Sequence, residues 1–157
     1  MRTILLTALM LTMAACQSNS PKLSAMQVST LKKLGFSQGD DGWSLTLTTK
    51  PILFGTGTDT LDEADKIIVT KMANGLISVG IDRLRIEGHT DNVGTAELNR
   101  ALSLRRAEVV AAEFSKNGLP LANTERKGYG FDKPIADNGT AQGRMQNRRV
   151  TVIVPSF

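Results

Sequence analysis

Residues 88–110 read GHTDNVGTAELNRALSLRRAEVV, and this stretch decides the fold. A glycine-bounded turn carrying Asp91 gives way to a long proline-free run of good helix formers, closed by Gly118 and Pro120, so a helix is expected from Ala96 to Asn117. Just before the turn, RLRIEG alternates Leu84 and Ile86 with charged residues, the two-residue period of a half-buried strand. At helical spacing Asn99, Ser103, Arg106 and Val110 fall on one polar stripe, and Leu98, Leu102, Val109 and Ala112 form an apolar stripe beside it, the expected core face. The unit is thus strand, acidic turn, then a helix with a polar seam.

Toward the C-terminus, ERKGYG reads as a short extended piece ending in a turn at Gly128-Tyr129-Gly130, and RRVTVIVP as a last strand. Toward the N-terminus, Leu61, Ala64, Ile67, Ile68, Met72, Leu76 and Val79 recur at helical spacing and predict a core-facing helix over 61–79. Upstream, GDDG marks a turn, WSLTLTT alternates Leu45 and Leu47 as a strand, Pro51 breaks it, and ILF continues extended. Ser24 opens a short helix over 24–34 that Gly35 stops. The order predicts an α/β sandwich: a mixed sheet of about four strands with two main helices on one face, plus the short N-terminal helix.

The first residues speak to location. Met1-Arg2 is a positive start, and Thr3 to Met13 is an apolar stretch too short to span a bilayer, the pattern of an export signal. LTMAAC resembles the end of a bacterial lipoprotein signal, with Met13 where that signal usually has leucine; the resemblance implies lipidation of Cys16. Cys16 is the only cysteine, so no internal disulfide competes for it, and Gln17 after it fits sorting to the outer membrane. An acylated cysteine anchors the chain through outer-membrane lipid. QSNSPKL, 17–23, is too polar to fold and reads as a tether. The expected organisation is a signal peptide over 1–15, a lipidated tether over 16–23, a helix and linker over 24–42 and one domain over 43–157, which suits 157 residues.

Charge and composition exclude several functions. Lys+Arg 19 against Asp+Glu 15 leaves a mild +4, spread along the chain rather than clustered, and 4% aromatics provide no stacking platform, so no nucleic-acid partner is expected. Glu87, His89 and Asp91 alternate as metal ligands could, yet with a single nitrogen donor they do not make a zinc site, and no cofactor is expected. No nucleophile elbow or Ser-His-Asp pattern occurs, and GTGTDT lacks the lysine of a phosphate loop, so the chain does not read as an enzyme.

Asp91 and Arg106 leave two readings open. Asp91 either favours the helix N-terminus through its dipole or accepts from an ammonium; Arg106 is either a solvated helical arginine or a planar fork for a carboxylate. As a pair they would suit a ligand with an ammonium and a carboxylate on one carbon.

GHTDNVGTAELNRALSLRRAEVV together with GYGFDKPIADNGTAQGRMQNRRVTVIV resembles the OmpA-like C-terminal domain, over Trp43 to Pro155. The resemblance implies non-covalent binding of peptidoglycan through the diaminopimelate of its stem peptide: Asp91 takes the amino group and Arg106 the carboxylate, with Thr90, Asn99 and Arg148 lining the pocket. Arg106 rather than Arg105 matches because it directly precedes Ala107. Asn99 also has the option of holding the preceding turn by hydrogen bonds. LGFSQGDDGWSLTL, ILFG and NRRVTVIVP further resemble a lipoprotein branch of that family that acts in envelope signalling. That likeness implies capture of a small periplasmic repressor, relieving an inner-membrane diguanylate cyclase, through Leu31, Leu34, Phe36, Trp43 and Leu45. For Trp43 a core position covering one end of the sheet is the competing reading. A homodimer is compatible with the sequence.

Overall fold

The computed structural model describes residues 23–47, 54 and 57–156. Cys16, most of the tether and the extended reading of ILF around Pro51 lie outside the described residues.

The first helix, α1 (Ala25–Lys33), begins where Ser24 and Gln27 satisfy each other's backbone N–H groups in a reciprocal cap. It ends at Gly35, whose φ of 89° lets Phe36 N donate back to Leu31 O and Gly35 N to Lys32 O. The same closing pattern ends α2 (Glu63–Ile77) and α3 (Ala96–Lys116).

Five strands form one mixed sheet in the order β1-β2-β5-β3-β4. β1 (Ser37–Gly39) and β2 (Gly42–Leu47) pair across the two-residue loop Asp40-Asp41, so the GDDG turn signal marks a hairpin and supplies one strand beyond the four expected. β2 and β3 (Leu84–Gly88) flank the central β5 (Val150–Pro155), both antiparallel to it. β4 (Thr124–Gly128) runs parallel to β3, and α3 makes the crossover such a pair requires. Val150, Val152 and Val154 project from β5 into the core, in register with Leu47, Leu45 and Trp43 of β2. The helices pack on this face.

The faces of the two main helices differ from expectation. In α2 the buried stripe is Val69, Met72, Ala73 and Leu76; Ile67, placed inward by the sequence, is 68% exposed, lying off that stripe, while Ile68 packs partly against the core. In α3 the expected core stripe is largely outside: Leu98 is 68% exposed and Ala112 is exposed. The polar stripe faces inward instead, burying Asn99, Ser103 and Arg106 along with Ala107, Val110, Ala111 and Phe114. The cause is close approach of backbones. A Cβ on Gly88 would lie 1.8 Å from Ser103 O, and one on Gly128 would lie 2.5 Å from Leu104 N. The first half of α3 therefore lies on the strand ends, where polar side chains find backbone partners and bulky apolar ones find no room.

The surface expected to meet a protein partner is mostly interior. Leu31, Phe36 and Trp43 belong to the main hydrophobic cluster, Leu31 because α1 packs its one fully buried side chain beneath the sheet's helical layer, and Trp43 because it shares a face with Val154. Leu34 is half-buried against the open position at Gly75, and Leu45 is half-buried. Trp43 is thus a core residue.

A fourth helix, α4 (Ala141–Asn147), has no counterpart in the sequence reading. Seven residues with only Ala141 and Met145 apolar carry no periodicity, and the helix rests on its Thr140 cap and on Gly143, whose Cβ would fall 1.9 Å from Asp137 O.

Candidate functional site

Three segments meet at the C-terminal end of β3: the turn 89–94, the first half of α3, and the junction between α4 and β5. Asp91 lies at the centre, only 5% exposed. One carboxylate oxygen accepts from Val93 N at 3.1 Å, fixing the turn, and the other accepts from Arg148 at 2.8 Å. In the folded chain Arg148, brought back by β5, already answers the charge of Asp91.

Arg106 is fully buried rather than solvated. Its Nε donates to Thr58 O at 2.8 Å and a terminal nitrogen to His89 O at 3.3 Å, while the Phe54 ring lies 5.0 Å from the guanidinium carbon. Burial, reinforced by the Arg148 cation, pushes its pKa down to about 10, against the pull of Asp91 and Asp59. It is still a cation at neutral pH. Next to it, Arg105 reaches outward and pairs with Asp59 at 2.8 Å. Consecutive arginines therefore grip the Thr58-Asp59 segment, one by a carbonyl and one by a side chain.

Asn99 has the turn-holding role. Its amide nitrogen donates to Val93 O at 2.8 Å and Thr95 O at 3.1 Å, tying the 91–95 turn to α3. Ser103 works from the same stripe: its hydroxyl donates to Arg100 O and accepts from Gly130 N, and Gly130 O in turn accepts from Thr90 N, so α3 sets the backbone beside Asp91 through two bonds.

Three buried polar atoms of this region have no hydrogen-bond partner: Nε of Arg148, the residue that pairs with Asp91, and, in the two residues before Asp91, Thr90 Oγ1 and His89 Nδ1. Unsatisfied buried donors and acceptors are rare in folded proteins and cluster where ligands bind. The His89 ring stacks on Tyr129, centroids 5.5 Å apart and 14° from parallel, and Lys133 Nζ sits 3.8 Å from the Tyr129 ring centre. Burial, with Arg149 and Lys133 nearby, lowers the His89 pKa to about 3, so the imidazole is neutral over the physiological range. Glu87, the other member of the acidic alternation, lies 2.9 Å from Arg85.

The five residues named from the sequence, Thr90, Asp91, Asn99, Arg106 and Arg148, thus gather at the C-terminal end of β3. Two contributors were not read from the sequence: Phe54 with Thr58, which cover Arg106, and Asn147, which anchors the α4–β5 junction. Only the NRR triplet hinted at the latter.

The sequence around these residues matches a known family: the OmpA family model fits residues 53–148. The chain belongs to the OmpA family. Among its OmpA-family relatives is the outer-membrane lipoprotein YfiB of Pseudomonas aeruginosa, 46% identical over 153 residues, which span 96% of this chain and 90% of that protein. The peptidoglycan-binding protein ArfA of Mycobacterium tuberculosis is 37% identical over 108 residues, 69% of this chain and 33% of that longer protein. The crystal structure of the peptidoglycan-associated lipoprotein from Burkholderia pseudomallei superposes with a TM-score of 0.61 at 29% identity, covering 65% of this chain and 86% of that one. Like its full-length relative, this OmpA-family chain is a lipid-anchored outer-membrane lipoprotein with its domain in the periplasm. Among the described residues no helix is long and apolar enough to cross a membrane.

Proposed function

We propose that this lipoprotein, anchored through Cys16, binds peptidoglycan non-covalently by receiving the diaminopimelate of a stem peptide in the Asp91 recess. The observation that carries the reading is a buried carboxylate paired with Arg148, whose Nε, like Oγ1 of the neighbouring Thr90, has no hydrogen-bond partner, with a second buried guanidinium, Arg106, near enough to feel its charge. The ligand ammonium is taken by Asp91 and its carboxylate by Arg106, for which the carboxylate replaces the Thr58 carbonyl; Thr90 and Arg148 complete the contacts, and Asn99 holds the turn. Calorimetric titration with a diaminopimelate-containing stem peptide tests this. Asp91→Ala and Arg106→Ala should each cost roughly 2–5 kcal/mol of binding, the cost of stranding one charge of a desolvated pair. Equal binding by wild type and both variants would sink the reading.

A second role, capture of a YfiR-like periplasmic repressor that releases an inner-membrane diguanylate cyclase, is favoured over a purely structural tether by one observation. Similarity to YfiB extends over 96% of the chain, including α1 and the β1–β2 hairpin, whereas the peptidoglycan-associated lipoprotein matches 65%. Since Leu31, Phe36 and Trp43 are interior, capture through them requires α1 to leave the core, with half-buried Leu34 and Leu45 as the first contacts. Co-purification of such a repressor with wild type, and its loss in Leu34→Asp and Leu45→Asp, is the expected result; a tether would retain none in either case.

A further inference from the structure

Asn147 is the last residue of α4 and has no accessible surface. Every hydrogen-bonding capacity of its side-chain amide that two donors and two acceptor positions allow is used. Oδ1 accepts from Ile135 N at 2.8 Å and Ala136 N at 3.1 Å; Nδ2 donates to Ala136 O and to Asn138 Oδ1, both at 2.8 Å. The 135–138 segment is thereby sewn to the C-terminal end of α4, and Gly143 lets Asp137 O come against the helix from the same side.

Directly after Asn147 the chain reverses tightly. Arg149 N donates back to Asn147 O at 3.0 Å, and Arg148 between them has φ −76° and ψ 79°, the conformation of an inverse γ-turn. Arg148 is its apex. From there its side chain reaches Asp91 at 2.8 Å, while Arg149 turns away to Lys133 O at 2.9 Å. The direction of Arg148 is therefore set by the first residue of the turn, and that residue is immobilised by four hydrogen bonds.

We propose that Asn147 is a positioning residue of the recess, fixing the start of the γ-turn and so aiming Arg148 at Asp91. This rests on the reading of the recess as a binding site. Asn147 touches no ligand; it acts through Arg148, as supporting residues do when they lock a contacting side chain in place.

A double-mutant cycle on the full-length lipoprotein in detergent, titrated with a diaminopimelate-containing stem tripeptide, separates this role from general support of the fold. Asn147→Ser should weaken binding roughly tenfold when Arg148 is present and change it less than about twofold in an Arg148→Gln background. The same loss in both backgrounds, or no loss in the first, overturns the proposal. If Asn147→Ser does not fold, Asn138→Ala removes a single one of the four bonds and is measured in the same two backgrounds. Should Asp91→Ala bind as wild type does, the reading of the recess fails instead. The ligand-free readout then decides for Asn147: the Arg148 Nε–H resonance should shift and exchange faster in Asn147→Ser, and an unchanged resonance overturns the proposal.

Discussion

Arg148 and Asp91, 57 positions apart in sequence, meet at 2.8 Å across the junction of β3 and β5. The acid's side chain is 7% exposed and the guanidinium 20%, so the pair is neither a surface bridge nor a sealed one. It occupies one carboxylate oxygen of Asp91 while leaving the Arg148 Nε without a hydrogen-bond partner.

Removing the guanidinium strands a nearly buried carboxylate. Arg148→Gln should lower unfolding stability by about 1–3 kcal/mol, the cost of an unsatisfied buried acceptor discounted for partial solvent contact. Urea titration followed by circular dichroism measures it, and a change within error would show that Asp91 is solvated after all.

The neutral imidazole makes stability pH-dependent with a definite sign. Folding lowers the His89 pKa from 6.5 to about 3, so between those values the unfolded chain binds a proton that the folded chain does not. The contribution is fully present above pH 6.5 and is lost as pH falls toward about 3. His89→Gln should flatten that part of the profile; urea midpoints taken at intervals through the window would show the same slope in both proteins if burial of the ring were unimportant.

The contact between β3 and α3 tolerates no side chain. Gly88→Ala places a methyl 1.8 Å from Ser103 O, backbone that cannot swing aside, and should destabilise by about 3 kcal/mol or prevent folding. Recovery of a soluble protein with an unchanged denaturation midpoint would mean that the helix sits further out.

Leu31→Ala should cost about 2–5 kcal/mol locally, since it empties the site of the one fully buried side chain of α1. Amide exchange should show lost protection in α1 while β3 and β5 keep theirs; uniform loss would mean that α1 is part of a single cooperative unit.

Much of this fold was legible because its signals are strong and local. β2 and β3 alternate, α3 is long and capped, and the glycines after three helices mark their ends. The inward face of α3 was not legible, because helical spacing locates a stripe but cannot say which stripe meets the sheet. That depends on Gly88 and Gly128, residues distant from α3 in two directions, allowing backbone contact where Asn99, Ser103 and Arg106 fit and Leu98 does not. α4 and Asn147 were missed for a related reason: seven residues without apolar rhythm are held by hydrogen bonds to a loop, which leaves no periodic trace. For Trp43 the sequence leaves partner surface and core both open, and its register with Val154 places it inside. Asp91 and Arg106 were found by resemblance, whereas their burial and the pairing of Asp91 with Arg148 emerge only in three dimensions.

Gln27 of α1 donates to Val79 O at 3.1 Å, close to where the chain turns into β3, while the Asp91 recess lies past the other end of that strand. A molecule tied to a membrane through its N-terminus and to the wall through the recess would be loaded lengthwise, with tension entering at α1 and leaving at Asp91. The sheet, gripped along its strands, resists such a pull in shear. The docking of α1, where Leu31 is buried, Val28 and Leu34 are partly buried and Gln27 supplies a side-chain bond, would then be the coupling to yield first, giving slack without unfolding the domain.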